Sequence, residues 1–330
     1  MSAADRSAGV PPPRVSLAHL PTPLEPADRL GAALGLSPGR LWIKRDDLTG
    51  LATGGNKARK LELLVGDALA HGADTLVTTG GPQSNHARST AAAAARAGIG
   101  CVLAFAGDEP PRIEGNQVLD VLFGAERRFL GAVPLDELNA AIGGIAEELR
   151  AAGRRPYVVP FGGSSALGAS AYVVAADEIV EQVRAAVGHE DVVVVTASGS
   201  GGTQAGLGAR LGHARVMGVD VGALPDPGAV VGPLAREVAE LVGAPVPEGQ
   251  PWIVRDQVGE AYGAPTDSCL AALRLAARME ALLLDPVYSG KALAGLIAHV
   301  GEIHARTIVF LASGGVPALF TSRYEGWLAS

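Results

Sequence analysis

Short apolar runs alternate with amphipathic stretches of helical length along most of this chain. A continuous apolar run bounded by glycine or charge predicts a buried strand, whereas apolar positions recurring every three or four residues predict a helix with one buried face. On this pattern strands are expected in "RLWIKRDDL" (40–48), "DTLVTTGG" (74–81), "CVLAFAG" (101–107), "ERRFL" (126–130) and "YVVPFGG" (157–163). Three more are expected in "DVVVVTASGSGG" (191–202), "RVMGVDVG" (215–222) and "TIVFLASGG" (307–315). Helices are expected over 57–72, 85–98, 116–124, 137–152, 166–188, 203–212, 229–243, 266–281 and 290–300. Regular alternation of this kind predicts an α/β fold, with parallel strands covered by helices on both faces. Ligands bind such sheets beyond the carboxyl ends of the strands. Glycine clusters recur at those ends: Gly54-Gly55, Gly80-Gly81, Gly162-Gly163, Gly199 to Gly202 and Gly314-Gly315. Each could be an ordinary turn; together they suggest one crowded pocket.

Composition narrows the class of function. The chain has 330 residues, 48% hydrophobic and 18% charged, enough to bury a substantial core. A net charge of −7, with no Lys/Arg block, argues against a nucleic-acid partner. No apolar stretch approaches the length of a membrane span, and "MSAADRSAGVPPPRV" lacks a signal-peptide apolar region. The two cysteines, Cys101 and Cys269, have no C-x-x-C partner; buried thiols in a reducing cytoplasm are expected, and no metal site.

Three loops could carry chemistry. In "LATGGNKARKLELL" a lysine, Lys57, opens a helix directly after Gly54-Gly55-Asn56. It is either a solvent-facing residue of a plain turn or an amine held against a ligand. In "TASGSGGTQAGL" a strand runs through Ser200, Gly201 and Gly202 into a helix opened by Thr203, an arrangement whose free N–H groups suit a phosphate. It is neither a P-loop nor a dinucleotide fingerprint, since "GLGARLG" misses G-x-G-x-x-G by one position. In "GGPQSNHARST", Ser84, Asn85 and His86 open a helix, either as an N-cap or as donors for a substrate carboxylate.

A helix-opening lysine, a glycine-rich phosphate cup and donors for a carboxylate suggest pyridoxal phosphate. The chain resembles the family that groups D-cysteine desulfhydrase with 1-aminocyclopropane-1-carboxylate (ACC) deaminase and L-cysteate sulfo-lyase. The resemblance runs from "LPTPLEPADRL" through "IKRDDLTGLATGGNKARKLE", "QSNHAR", "GASAYVVAADEI", "SGSGGTQAGL" and "LLDPVYSGKALAGL" to "SGGVPALF". It implies fold type II of the pyridoxal-phosphate enzymes, the tryptophan synthase β-like fold. Two open, twisted, mostly parallel sheets would be flanked by helices. Residues 1–57 and 172–330 would form the large cofactor-binding domain and 58–171 a small inserted one. It further implies Lys57 as the Schiff-base lysine, Lys60 as a phosphate contact, and Ser200, Gly201, Gly202 and Thr203 as the phosphate cup. Asn85 would bond the ring hydroxyl, and Ser84 and His86 would face the substrate carboxylate. Tyr288 would lie near the ring, Tyr262 on the reacting side of the substrate, and Ser289 at the ring nitrogen. A homodimer is implied as well.

Where ACC deaminases resemble one another in a glutamate after the tyrosine of VY-x-G-K and a glutamine after Ser-Asn, this chain has Ser289 and His86. A neutral partner leaves the ring nitrogen largely unprotonated, which suits elimination of a good leaving group better than ring opening. The resemblance therefore implies α,β-elimination on a small amino acid, D-cysteine first, giving pyruvate, ammonia and sulfide. L-Cysteate sulfo-lyase, ACC deaminase and a catalytically silent binding protein of the same fold are the alternatives. Ser165, Ala312 and Ser313 depart from the family pattern and bear on the substrate.

Overall fold

The computed structural model describes residues 12–134 and 137–329. In chain order the elements are β1 (Leu24–Pro26), α1 (Asp28–Ala33), β2 (Leu41–Lys44), α2 (Lys57–Ala70), β3 (Thr75–Gly80), α3 (Asn85–Ala97) and β4 (Gly100–Phe105). There follow α4 (Asn116–Leu122), β5 (Glu126–Phe129), α5 (Leu138–Ala151), β6 (Pro156–Val158), α6 (Ala166–Val187), β7 (Val192–Ser198) and α7 (Gly202–Leu211). The last part of the chain forms β8 (Val216–Asp220), α8 (Gly228–Val242), β9 (Trp252–Val254), α9 (Asp267–Glu280), α10 (Ser289–His299), β10 (Thr307–Leu311) and α11 (Ser322–Ala329).

The strands form two sheets. One has six strands in the order β1-β2-β10-β7-β8-β9, parallel except for the β1–β2 pair. The other has four parallel strands in the order β5-β4-β3-β6. Both are covered on two faces, which is why the strands read as unbroken apolar runs. Along β7, Val193 and Val195 pack toward α9 and α10 with Ile308 and Phe310, while Val192 and Val194 pack toward α6 and α7 with Val309 and Leu311. In the smaller sheet Leu103 and Phe105 face α2 and α3, and Val102 and Ala104 face α5 through Ile142 and Ile145. Burying such a side chain contributes roughly 1.5–3 kcal/mol.

α6 joins the two halves. Leu167 and Ala171 belong to the core of the smaller sheet, whereas Tyr172, Ala175 and Ile179 belong to that of the larger. Below it lies a buried ionic network: Arg59 of α2 pairs with Asp46 at 2.8 Å and with Glu178 of α6 at 2.9 Å, and Tyr172 donates to Asp46 Oδ2 at 2.6 Å. The network fixes α2 against α6, and with it the direction in which the start of α2 points. The glycine clusters do not terminate a single sheet. They end strands of both sheets, which meet across one cleft.

Candidate active site

That cleft is a narrow, partly enclosed cavity. Its wall contains Asn56, Lys57, Ser84, Asn85, His86, Phe161, Gly162, Ser200, Gly201, Thr203, Tyr288 and Ser313. All of these but Tyr288, which stands between α9 and α10, lie on a loop or first helical turn after a strand: Lys57 after β2, Ser84 after β3, Gly162 after β6, Ser200 after β7 and Ser313 after β10.

Lys57 is the first residue of α2. Gly54 and Gly55 serve a contact between loops. A Cβ on Gly54 would fall 1.8 Å from the Asp47 carbonyl oxygen, and one on Gly55 3.1 Å from the Ser313 carbonyl oxygen. The turn thus packs backbone to backbone on the 313–315 loop, with Asn56 N–H donating to Ser313 O at 3.0 Å. The Lys57 amine donates to Asn56 Oδ1 at 3.2 Å. Burial draws its pKa down to about 8, with Arg88 acting in the same direction and Asp285 opposing. A lysine so placed carries a substantial neutral, nucleophilic fraction near neutral pH.

One turn further on, Lys60 is 1% exposed and has no carboxylate partner among the described residues. Its amine lies 3.3 Å from Gly162 O and 3.5 Å from Ser164 Oγ. Burial pulls its pKa far below that of a free lysine, and the Lys57 charge adds to this. Beside it the N-terminus of α7 opens. A Cβ on Gly202 would lie 2.7 Å from Lys60 Nζ, so only glycine lets the amine reach that helix end. Gly202 N–H donates to Ser164 Oγ at 3.2 Å, Ser164 and Ser200 share a hydrogen bond of 2.8 Å, and Asn56 Nδ2 donates to Thr203 Oγ1 at 3.0 Å. A buried amine facing the positive end of a helix is favoured as an ammonium only beside an anion, and hydroxyls and N–H groups surround the place where one would sit. A phosphate fits this donor set.

Across the cleft, Ser84 is the N-cap of α3 and accepts from Ala87 N–H at 3.2 Å, leaving its own hydrogen to donate. The N–H groups of Asn85 and His86 belong to the first turn, where no carbonyl one turn earlier in the helix is available. Asn85 Oδ1 accepts from Asn116 Nδ2 at 2.9 Å, which leaves Asn85 Nδ2 as the free donor. His86 is less open than expected. Thr78 Oγ1 donates to Val159 O at 2.8 Å, so at 2.9 Å from the ring it must accept from His86 Nε2–H. Burial and both lysines hold the imidazole neutral, so it lines the cleft while its one N–H is committed to Thr78. A carboxylate here would meet the backbone N–H groups and the Ser84 hydroxyl.

Tyr288 also lines the cleft, and its hydroxyl is hydrogen-bonded to that of Tyr262, which stands behind it with ring centroids 6.0 Å apart. Ser289 does not line the cleft; it is 1% exposed and bonded to Asp285. Ser165 is likewise outside the cleft as the N-cap of α6, and Ala312 is in the core, so of the three departures only Ser313 reaches the cavity. The sequence reading missed Asp285, Asn56, Asn116, Ser164 and Arg88. Asp285 had a signal, an acidic residue just before the helix opened by Ser289; Asn56 and Arg88 lie within two residues of predicted site residues, while Asn116 and Ser164 come from other elements.

Residues 15–314 match the family described as pyridoxal-phosphate dependent enzyme. Over 322 residues the chain is 43% identical to the D-cysteine desulfhydrase of Salmonella typhi, covering 93% of this chain and 95% of that protein. With the same coverage it is 42% identical to the protein of that name from Salmonella newport (strain SL254). Among solved structures it is similar to an ACC deaminase homologue, with a TM-score of 0.86, 38% identity and 96% of each chain covered. It shares its fold with a threonine deaminase, with a TM-score of 0.63, 22% identity and coverage of 89% of this chain and 92% of that one. The expected fold type II and its cofactor are borne out, and the chain belongs to the family of pyridoxal-phosphate dependent enzymes.

Proposed function

We propose that the chain is a carbon–sulfur lyase that eliminates sulfide from D-cysteine, giving pyruvate and ammonia. The observation that carries the reading is the 43% identity to a D-cysteine desulfhydrase along 93% of the chain. The donor sets of the cleft support it. Pyridoxal phosphate supplies an aldehyde that condenses with amines and a ring that accepts the electron pair left when the α-hydrogen departs as a proton.

The residues then divide the work. Lys60, Ser200, Gly201, Gly202 and Thr203 would hold the phosphate, with Ser164 beside them. Lys57 would tether the aldehyde, and Asn85 Nδ2 would be the donor for the ring hydroxyl. Ser84 Oγ and the first N–H groups of α3, at Asn85 and His86, seat the substrate carboxylate. Lys57 Nζ and Ser84 Oγ are the two groups within the cleft that could take the α-proton. Tyr288 closes one side, and Tyr262 presents its hydroxyl toward the departing sulfur through that pair. Ser289 supports the ring-nitrogen side from behind. The two sheets correspond, on this reading, to a large domain of 1–57 and 172–330 and a small one of 58–171. The working form is a homodimer in the cytoplasm, where Cys101 and Cys269 stay reduced. Among the described residues no helix is long and apolar enough to cross a membrane.

ACC deamination is the second reading, favoured by the structural likeness to an ACC deaminase homologue. Purified enzyme given D-cysteine and ACC in parallel separates the two. Sulfide with pyruvate from D-cysteine, abolished in Lys57→Ala, is the expected result. Formation of 2-oxobutyrate from ACC without sulfide release from D-cysteine would replace the first reading by the second.

A further inference from the structure

The turn that delivers Lys57 has an unusual backbone. Four successive residues before Asn56 have positive φ: Ala52 at 46°, Thr53 at 71°, Gly54 at 75° and Gly55 at 117°. Glycine adopts such values freely, whereas alanine does so rarely, and for a β-branched threonine the conformation is a genuine outlier. Outliers of this kind persist only where the surroundings over-determine them. Here the surroundings include a side chain from α3. Arg88 donates through Nη1 to Thr53 Oγ1 and through Nη2 to the Gly54 carbonyl at 3.0 Å. It is 0% exposed, so its guanidinium is held where an unpaired charge would be unfavourable. The acids that attract it are Asp120 of α4, also 0% exposed, and Asp285. Neither Asp120 oxygen has a hydrogen-bond partner among the described residues, so Nη1 and Nη2 stay on the turn rather than on that carboxyl.

We propose that Arg88 is a positioning residue for Lys57: it clamps the strained Thr53–Gly54 turn so that α2 begins with the Lys57 amine inside the cleft. The inference rests on the reading of Lys57 as the cofactor's tether. Arg88 acts on that amine in a second way as well. The charged and titratable groups that face the amine are Asp285, Arg88, Lys60 and His86. Of these, Arg88 joins burial in lowering the amine's pKa and Asp285 opposes them. Lysine at position 88 would keep the charge but could not bond Thr53 and Gly54 together.

The test follows the rate at which cofactor-stripped enzyme recaptures pyridoxal phosphate, measured against pH. Borohydride reduction and peptide mapping of the untreated holoenzyme come first. Modification of a lysine other than Lys57 overturns the reading of the site and this proposal with it. With Lys57 modified, Arg88→Lys should slow recapture on the order of tenfold while leaving its pH midpoint where it was. Arg88→Met should slow it similarly and move the midpoint upward from about 8. Adding Thr53→Gly to Arg88→Lys should restore most of the rate, because glycine holds the positive φ without a clamp. Wild-type recapture by Arg88→Lys overturns the clamp even if Arg88→Met fails to fold, and so does a double variant no faster than Arg88→Lys.

Discussion

Ser289 donates its hydroxyl hydrogen to Asp285 Oδ1 at 2.6 Å and accepts the Asp285 backbone N–H at 2.8 Å. Asp285 in turn accepts the N–H groups of Val287, Tyr288 and Ser289 at 2.8–3.0 Å, at the N-terminal end of α10. The position that separates the two readings of the reaction is therefore coupled to a buried acid. A glutamate there would not act alone; it would face Asp285 in a slot that is 1% exposed.

Ser289→Glu is accordingly expected to destabilise the protein without conferring turnover of ACC. Two carboxylates in a dry site repel each other strongly, and one must take up a proton. The melting temperature should fall by roughly 5–10 °C, and adding Asp285→Asn should recover much of the loss. Calorimetry together with a 2-oxobutyrate assay checks this. A Ser289→Glu enzyme as stable as wild type and active on ACC would show that Asp285 does not constrain the position.

Much of the site was legible in the sequence because its residues sit next to glycine at the ends of strands. Ser84, Ser200 and Thr203 follow an apolar run within a few residues, and Lys57 follows the glycines of the longer loop after β2. Their supports were not legible. Asn116, which orients Asn85, lies on a helix reached through a long loop, and Ser164 and Arg88 read as ordinary polar positions of helix starts. The same holds for the fold: the elements missed, β1, β9 and the short terminal helices, are three to eight residues long. Such pieces carry too few positions for a period to show, and they are specified by the neighbours they pair with. His86 illustrates the limit from the other side. Its place in the cleft could be read from sequence, but its tautomer depends on Thr78 and Val159, which only the three-dimensional structure brings together.

Lys60→Met should separate the cofactor's contribution to stability from that of the bare fold. Without an anion, Lys60 is a buried amine held by two long contacts, so replacing it with an apolar chain of similar length removes an unfavourable group. The stripped variant is expected to melt no lower than stripped wild type. Its gain on adding pyridoxal phosphate should be smaller, corresponding to an affinity weaker by about ten- to a hundredfold. Thermal melts with and without the cofactor decide this; an equal gain in both proteins would mean that Lys60 does not contact the phosphate.

Tyr262→Phe is expected to lower kcat for sulfide release while leaving cofactor capture unchanged. Burial pushes the Tyr262 hydroxyl up to about 12, and it raises the Tyr288 hydroxyl as well. Both are therefore protonated at neutral pH, and the linked pair can donate a hydrogen but not serve as a base. A loss of kcat with KM little changed fits a donor that acts on the departing group. A change confined to cofactor affinity would assign the pair to packing around the ring instead.

Asp120 gives the clearest dependence of stability on pH. Burial raises its carboxyl to about 7 despite the attraction of Arg88 and Arg127, against about 3.9 in an unfolded chain. A group that holds its proton more tightly when folded contributes stability that is fully present below its unfolded pKa. That contribution is lost as the pH rises through its folded pKa. Between pH 4 and pH 8 the loss amounts to about 4 kcal/mol at most. In Asp120→Asn no proton is bound or released at this position, so the variant should gain on wild type across that interval and hold its lead above pH 8. Chemical denaturation of both proteins at pH 5 and pH 8 measures the difference directly. A gap between them that does not change with pH would mean that Asp120 stays ionised throughout, with Arg88 paired to it as a fixed charge.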